Sequence, residues 1–146
     1  MITRIEIEGA DKTGKDTLMR YLDYMSGRTI VVKTRGFISN LVYAKLFDRK
    51  LPLLKEQYME SNKNTLVVFL YSDIEDLKIR FKICNEPEIN IDKHYGEFKS
   101  MYDDAIYNYD IHGLTYNTSY YTPYTIAKDV LNTVEMLNRE EQQNGI

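Results

Sequence analysis

A single cysteine, Cys84, and two histidines are all that this chain of 146 residues offers to disulfide or zinc chemistry. One cysteine cannot close an internal bridge, and no Cys/His pairs stand at zinc spacing. A reducing cytoplasm is the simplest setting for such a chain. Long apolar runs are missing too, for no stretch approaches the roughly 20 residues that span a bilayer. The first residues, MITRIEIEGADK, carry charges at Arg4, Glu6 and Glu8 and so lack the uninterrupted apolar core of a secretory leader. Without a leader, the match of Asn117-Thr118-Ser119 to the glycosylation pattern reads as chance. A basic excess is absent as well. The net charge is −3, from 19 Lys and Arg against 22 Asp and Glu, which argues against general nucleic-acid binding. The charge is uneven, however: residues 1–82 carry 15 basic against 11 acidic side chains, and residues 83–146 carry 4 against 11. A positive first half suits a small polyanion such as a nucleotide, although ordinary variation of surface charge would produce it equally. No internal repeat is visible.

What is present is 43% hydrophobic residues in a chain of 17.2 kDa, enough to bury a core without staples and to form one domain over 1–146. Ile2 to Glu8 alternates, predicting a strand with Ile5 and Ile7 inward on one face. Leu18, Tyr21, Leu22 and Met25 recur at spacings of three and four, predicting a helix over Lys15–Met25 that stops at Ser26-Gly27. Thr29–Thr34 is a second strand, rich in β-branched residues. FISNLVYAKLF follows as a helix closed by Pro52, with another helix over Leu53–Glu60 and a turn at Asn62-Lys63-Asn64. TLVVFLY, Thr65–Tyr71, has the unbroken apolar run of a strand covered on both faces. Ser72-Asp73 is expected to cap a helix over Ile74–Ile83, and a loop over Asn85–Asn90 leads to a long helix from Asp92 to Tyr107. A last strand near Leu114–Asn117 precedes a helix opened by Pro123, with Ile126, Val130, Val134 and Leu137 as its apolar stripe and a frayed tail over 142–146. Strands alternating with helices imply an α/β layer fold with a mainly parallel sheet of about four strands. Ligands of such folds sit beyond the carboxyl ends of the strands.

At one such end stands EGADKTGKDTL. It fits the phosphate-loop template G-x-x-x-x-G-K-[ST] at Gly9, Gly14 and Lys15, between a predicted strand and a predicted helix. Glycines there let the backbone close around an anion, so that successive N–H groups and the helix N-terminus face phosphate oxygens. The run Gly9, Ala10, Asp11, Lys12, Thr13 and Gly14, with Lys15, Asp16 and Thr17 opening the helix, is therefore the candidate ATP-binding segment. Lys15 supplies a cation for the β and γ phosphates. Asp16 stands where the template has a magnesium-binding hydroxyl.

These residues resemble the thymidylate kinase-like nucleoside monophosphate kinases of the P-loop NTPase superfamily, especially short bacteriophage members. The family loop EGxDxxGKST is matched at Glu8, Gly9, Asp11, Gly14, Lys15 and Thr17, and the motif DR[YF]xxSxxAYQ is echoed by TRGFISNLVYA at Arg35, Ser39 and Tyr43. TLVVFLYSDIEDLKIRF resembles a third pattern that ends at Arg80. The resemblance covers roughly Ile5 to Leu137 and implies a three-layer P-loop kinase sandwich, phosphoryl transfer from ATP to a deoxynucleoside monophosphate, a Mg2+ cofactor and room for a homodimer. It makes Lys12 a basic residue stabilising the transferring group, Arg35 the grip on the acceptor phosphate, Asp11 the contact to its sugar, Ser39 and Tyr43 the lining of the base pocket, and Arg80 part of a lid over ATP.

The chain departs from the family in a shortened acceptor side without an Arg-Glu-Pro strand, and in a lid, RFKICNEPEI, that lacks a second Arg and offers Lys82. Asp16 replaces a Ser and Thr34 an Asp. Loops ending GKDT are similar to those of some phage deoxynucleoside monophosphate kinases and of phosphomevalonate kinases. The resemblance then implies an exchange in which Asp16 and Thr34 flank the metal with their positions swapped. The tyrosines between Tyr95 and Tyr124 fit a base-stacking surface or ordinary core packing. Three functions stay open: a viral kinase of a deoxynucleoside monophosphate, a nucleotide-binding module acting through a protein partner, and a kinase of another phosphorylated acceptor.

Overall fold

The structure, a computed structural model, describes residues 1–51, 53–84 and 91–144. Its elements run β1 (Arg4–Glu8), α1 (Lys15–Met25), β2 (Val31–Thr34), α2 (Phe37–Leu46), α3 (Lys55–Asn62), β3 (Thr65–Tyr71), α4 (Ile74–Ile83), α5 (Ile91–Asn108), β4 (His112–Asn117) and α6 (Pro123–Asn144). The four strands form one sheet in the order β2-β1-β3-β4, each pair parallel. Ile7 of β1 lies opposite Thr34 of β2 and Val68 of β3, so the carboxyl ends of three strands open at the same edge.

Period-two alternation sorts the central strands between two apolar layers. Ile5 and Ile7 of β1 and Leu66, Val68 and Leu70 of β3 join Leu18 and Leu22 of α1 and Ile126, Val130 and Val134 of α6. Val67 and Phe69 point the other way, onto Phe37, Ile38 and Val42 of α2, Tyr58 of α3 and Phe98 and Tyr102 of α5. Each such side chain, fully buried, contributes about 1.5–3 kcal/mol by leaving water. The layered sandwich expected from alternating strands and helices is therefore present, and its sheet is parallel throughout.

Where the structure differs from the sequence reading, the reason is tertiary. The alternation in β1 suggested one buried face, yet Glu6 and Glu8 are 1% and 0% exposed, because α2 covers the face that they occupy. Ser72-Asp73 does not cap α4 with a side chain. Asp73 instead accepts a hydrogen bond from Asn117 Nδ2 at 3.1 Å, and the Ser72 hydroxyl pairs with Thr118, since both lie against the end of β4. Asn62, read as part of a turn, closes α3, and residues 142–144 continue α6. Pro52 and the loop over Asn85–Asn90 lie outside the described residues. No helix among the described residues is long and apolar enough to cross a membrane.

Candidate functional site

The turn from β1 into α1 wraps on itself. Gly9 has φ of 146° and Gly14, the N-cap of α1, has φ of 97°, backbone regions that a side chain rarely adopts. A Cβ on Gly9 would also overlap the carbonyl oxygen of Leu70, because the loop runs across the end of β3. Lys15 folds back under this arch, its Nζ donating to Gly9 O at 2.9 Å and Ala10 O at 2.7 Å. The Thr13 hydroxyl donates to Ala10 O at 2.7 Å, so the one donor Thr13 keeps for a ligand is its N–H. Burial lowers the Lys15 pKa from 10.5 to about 8, against the opposing charge of Asp11. Asp11, Lys12, Gly14, Lys15, Asp16 and Thr17 line a cleft of about 400 Å³ whose far wall is Arg35.

Arg35 Nη2 donates to Asp11 Oδ1 at 3.2 Å across this cleft, with both side chains about half exposed. Arg35 itself has φ of 62°, unusual for a residue with a Cβ. The next residues start α2, which has no side-chain cap of its own. Its free N–H groups are taken by β1: Gly36 N donates to Glu8 Oε1, Phe37 N to Glu6 Oε2 at 3.2 Å, and Ser39 N to Glu8 Oε2 at 3.1 Å. The Ser39 hydroxyl also donates to Glu8. Ser39, expected to line a base pocket, is 4% exposed and committed to this carboxylate instead, because α2 turns it toward the sheet. Tyr43, one turn further, is half-buried between Phe47 and Phe98, and burial raises its phenol pKa, with the nearby Asp11 charge adding and Arg35 opposing.

Glu6 was passed over by the sequence reading, and Glu8, matched there as a residue of the family loop, was given no role in the site. Glu6 accepts from Arg4 at 3.0 Å and faces Lys33 at 3.6 Å. Burial pushes the Glu8 pKa up to about 7, with the hydrogen bonds from Ser39 and Gly36 holding it down. The available signal was a pair of carboxylates at alternate positions of a strand inside a parallel sheet, where both faces are ordinarily covered. The packing is close enough to forbid a side chain at Gly36, whose Cβ would overlap the Glu6 carboxylate. Gly36→Ala should therefore destabilise the fold by about 1–3 kcal/mol, read as a lower urea midpoint at unchanged m-value. An unchanged midpoint would remove the claim that this contact is rigid.

Arg80, expected in a lid whose following residues 85–90 lie outside the described residues, hydrogen-bonds to the loop and to the segments beside it. Its Nη1 donates to Lys12 O and Ser72 Oγ, both at 2.8 Å, and to Thr118 Oγ1 at 3.2 Å, while Nη2 donates to Thr118 O at 3.3 Å. The reason is that α4 runs beside the loop, so Arg80, the seventh residue of that helix, meets the ends of β3 and β4 together. Lys12, whose backbone is left-handed at φ of 65°, sets its ammonium 5.9 Å from the centroid of the Phe81 ring. A second cavity of about 220 Å³ lies on this side, bounded by Gly14, Leu18, Arg80, Thr118, Tyr121 and Pro123. It shares Lys12, Gly14 and Thr17 with the phosphate cleft, so the loop borders both.

Asp16 lines the phosphate cleft, whereas Thr34, half-buried at the end of β2, is not among its lining residues. Among the described residues no three His, Cys, Asp or Glu side chains converge as a metal cluster.

No known family matches the chain. The chain is similar to the SPbeta prophage-derived uncharacterized protein YorR of Bacillus subtilis (strain 168), 26% identical over 131 residues that cover 85% of this chain and 77% of YorR. It is similar also to the crystal structure of YorR in complex with phosphorylated GDP, with a TM-score of 0.71 at 22% identity, over 94% of this chain and 98% of that one. The shared fold is a P-loop kinase-like α/β sandwich.

Proposed function

We propose that this chain is a kinase of phage origin that transfers a phosphoryl group from ATP to a deoxynucleoside monophosphate in the host cytoplasm, in the manner of thymidylate kinase. The observation that carries this reading is that one cleft is lined by both Lys15 of the loop and Arg35 across from it. Transfer between two phosphate-bearing ligands needs two such cationic walls, since catalysis of this reaction is positioning and charge stabilisation. That YorR was crystallised in complex with phosphorylated GDP supports nucleotide binding by a chain of this fold.

In this reading the donor phosphates draw the Lys15 ammonium away from the Gly9 and Ala10 carbonyls, and the loop N–H groups take the oxygens between them. Arg35 exchanges Asp11 for the acceptor phosphate, and Asp11 is released toward the acceptor sugar. The Arg80 guanidinium, already held flat by its hydrogen bonds, forms one side of the donor-base cavity with Tyr121 across it. Asp16, in the first turn of α1 and in the cleft, is the residue suited to hold Mg2+ through one oxygen or a water, with Thr34 the outer candidate. When bound, that ion supplies neutralisation of charge on the transferring group.

The test is incubation with ATP, Mg2+ and a panel of deoxynucleoside monophosphates, followed by chromatography of the products. Diphosphate is expected from at least one pyrimidine monophosphate. Nucleotide binding with no turnover anywhere on the panel would favour the second reading, a binding module that acts through a partner protein. The observation behind that second reading is the open edge at β2, whose Val31 is 62% exposed where a longer acceptor side would pack.

A further inference from the structure

We infer that Glu8, with Glu6 beside it, is the positioning residue of the acceptor side: its buried carboxylate caps α2 from the neighbouring strand and so aims Arg35 across the phosphate cleft. This deepens the kinase reading and rests on it for the name of the ligand that Arg35 meets.

A helix N-terminus leaves several N–H groups without partners, and it is usually satisfied by a Ser, Thr, Asp or Asn just before it. Here that residue is Gly36, which offers nothing. Three of the orphan donors, on Gly36, Phe37 and Ser39, go to carboxylates of β1 instead. The negative charge also sits where the helix dipole favours it. Such a cap ties the start of α2 to β1 rather than to its own preceding loop.

Arg35 is the residue caught between these anchors. Its own N–H donates to Ile7 O at 2.9 Å, and the residue after it is held by Glu8. A left-handed backbone on a residue with a Cβ persists only when its surroundings over-determine it. The carbonyl of Ile7 and the carboxylate of Glu8, adjacent in β1, provide that constraint. Glu8 is also joined directly to Gly9, whose carbonyl receives Lys15. One short segment, Ile7 to Gly9, therefore sets the loop cation and Arg35 relative to each other.

Glu8→Gln preserves size but replaces an acceptor with an NH2 group that faces N–H donors. Calorimetric titration should show the affinity for a deoxynucleoside monophosphate falling by about 10- to 100-fold, while that for ADP changes by less than about threefold. Arg35→Ala should cause the same acceptor loss, and adding Glu8→Gln to it should cost nothing more, because the two act through one contact. A milder variant, Ser39→Ala, leaves the carboxylate in place and should give a smaller acceptor loss of about three- to tenfold, which keeps the test available if Glu8→Gln folds poorly. The Arg35 guanidinium resonance, assigned with Arg35→Lys, reads its pairing with Asp11 without any nucleotide. Loss of that paired signal in Glu8→Gln or Ser39→Ala supports the inference whatever the acceptor proves to be. An unchanged Arg35 signal, equal losses for both nucleotides, or additive effects of Glu8→Gln and Arg35→Ala would overturn it. Failure of the wild-type chain to bind any monophosphate, with the Arg35 signal still dependent on Glu8, would sink the kinase reading and leave the positioning role standing.

Discussion

Lys15→Met should weaken ADP and ATP binding by about 100-fold or more, the loss of at least one charge-assisted contact to each of two phosphates. The side chain is nearly enclosed, 7% exposed under an arch of loop carbonyls, so its ammonium is fixed against the loop that would receive the phosphates. Enclosure also leaves a signature in the free protein, because the Lys15 pKa falls from 10.5 to about 8. A base with a depressed folded pKa holds fewer protons in the folded than in the unfolded chain between those two values. Stability therefore rises with pH across that window and is lost again as the pH falls back through about 8. The span is on the order of 3 kcal/mol. Lys15→Met should flatten this rise, followed by urea unfolding from neutral to alkaline pH. Phosphate favours the ammonium form, so the wild-type chain should take up a proton on binding nucleotide near pH 8, seen by calorimetry in buffers of different ionisation enthalpy. Retention of nucleotide affinity within a few-fold in Lys15→Met would refute the assignment.

Arg80→Ala should lower stability by about 3 kcal/mol, because four hydrogen-bond acceptors on three separate segments lose one donor group together. For a chain of this size that corresponds to a melting temperature lower by about 6–12 °C. Arg80→Lys should recover little of it. A single ammonium cannot reach Lys12 O, Ser72 and Thr118 in the planar, forked geometry that a guanidinium provides. The donor nucleotide should protect the wild-type chain against thermal unfolding more than it protects Arg80→Ala, since the loop would have lost its brace at Lys12. If Arg80→Lys were as stable as wild type, the brace would have to be assigned to charge alone. If neither substitution moved the melting temperature, Arg80 would return to the lid role that its sequence context suggested.

These two residues mark the limit of what can be seen in a sequence. Lys15 was legible because a phosphate loop is a local object: two glycines with positive φ and a lysine opening a helix span only the seven residues from Gly9 to Lys15. The strands and helices were legible for the same reason, since periods of two and 3.6 report which side of an element is apolar. Even the double coverage of β3 was visible in its unbroken run TLVVFLY. The face of β1 that carries Glu6 and Glu8 was not, because alternation tells that two faces differ and cannot tell that α2, about 30 residues later, covers the polar one. From that covering follow the burial of Glu8, the commitment of Ser39 to it and the constrained turn at Arg35. Likewise the family resemblance pointed to Arg80 without showing its partners, Lys12 O, Ser72 and Thr118, which only the packing of α4 against the loop and the end of β4 brings to it. Local sequence determined the elements and the loop through backbone sterics and apolar periodicity; tertiary packing decided which charged groups left water, and a charge that leaves water must find partners wherever the fold puts them.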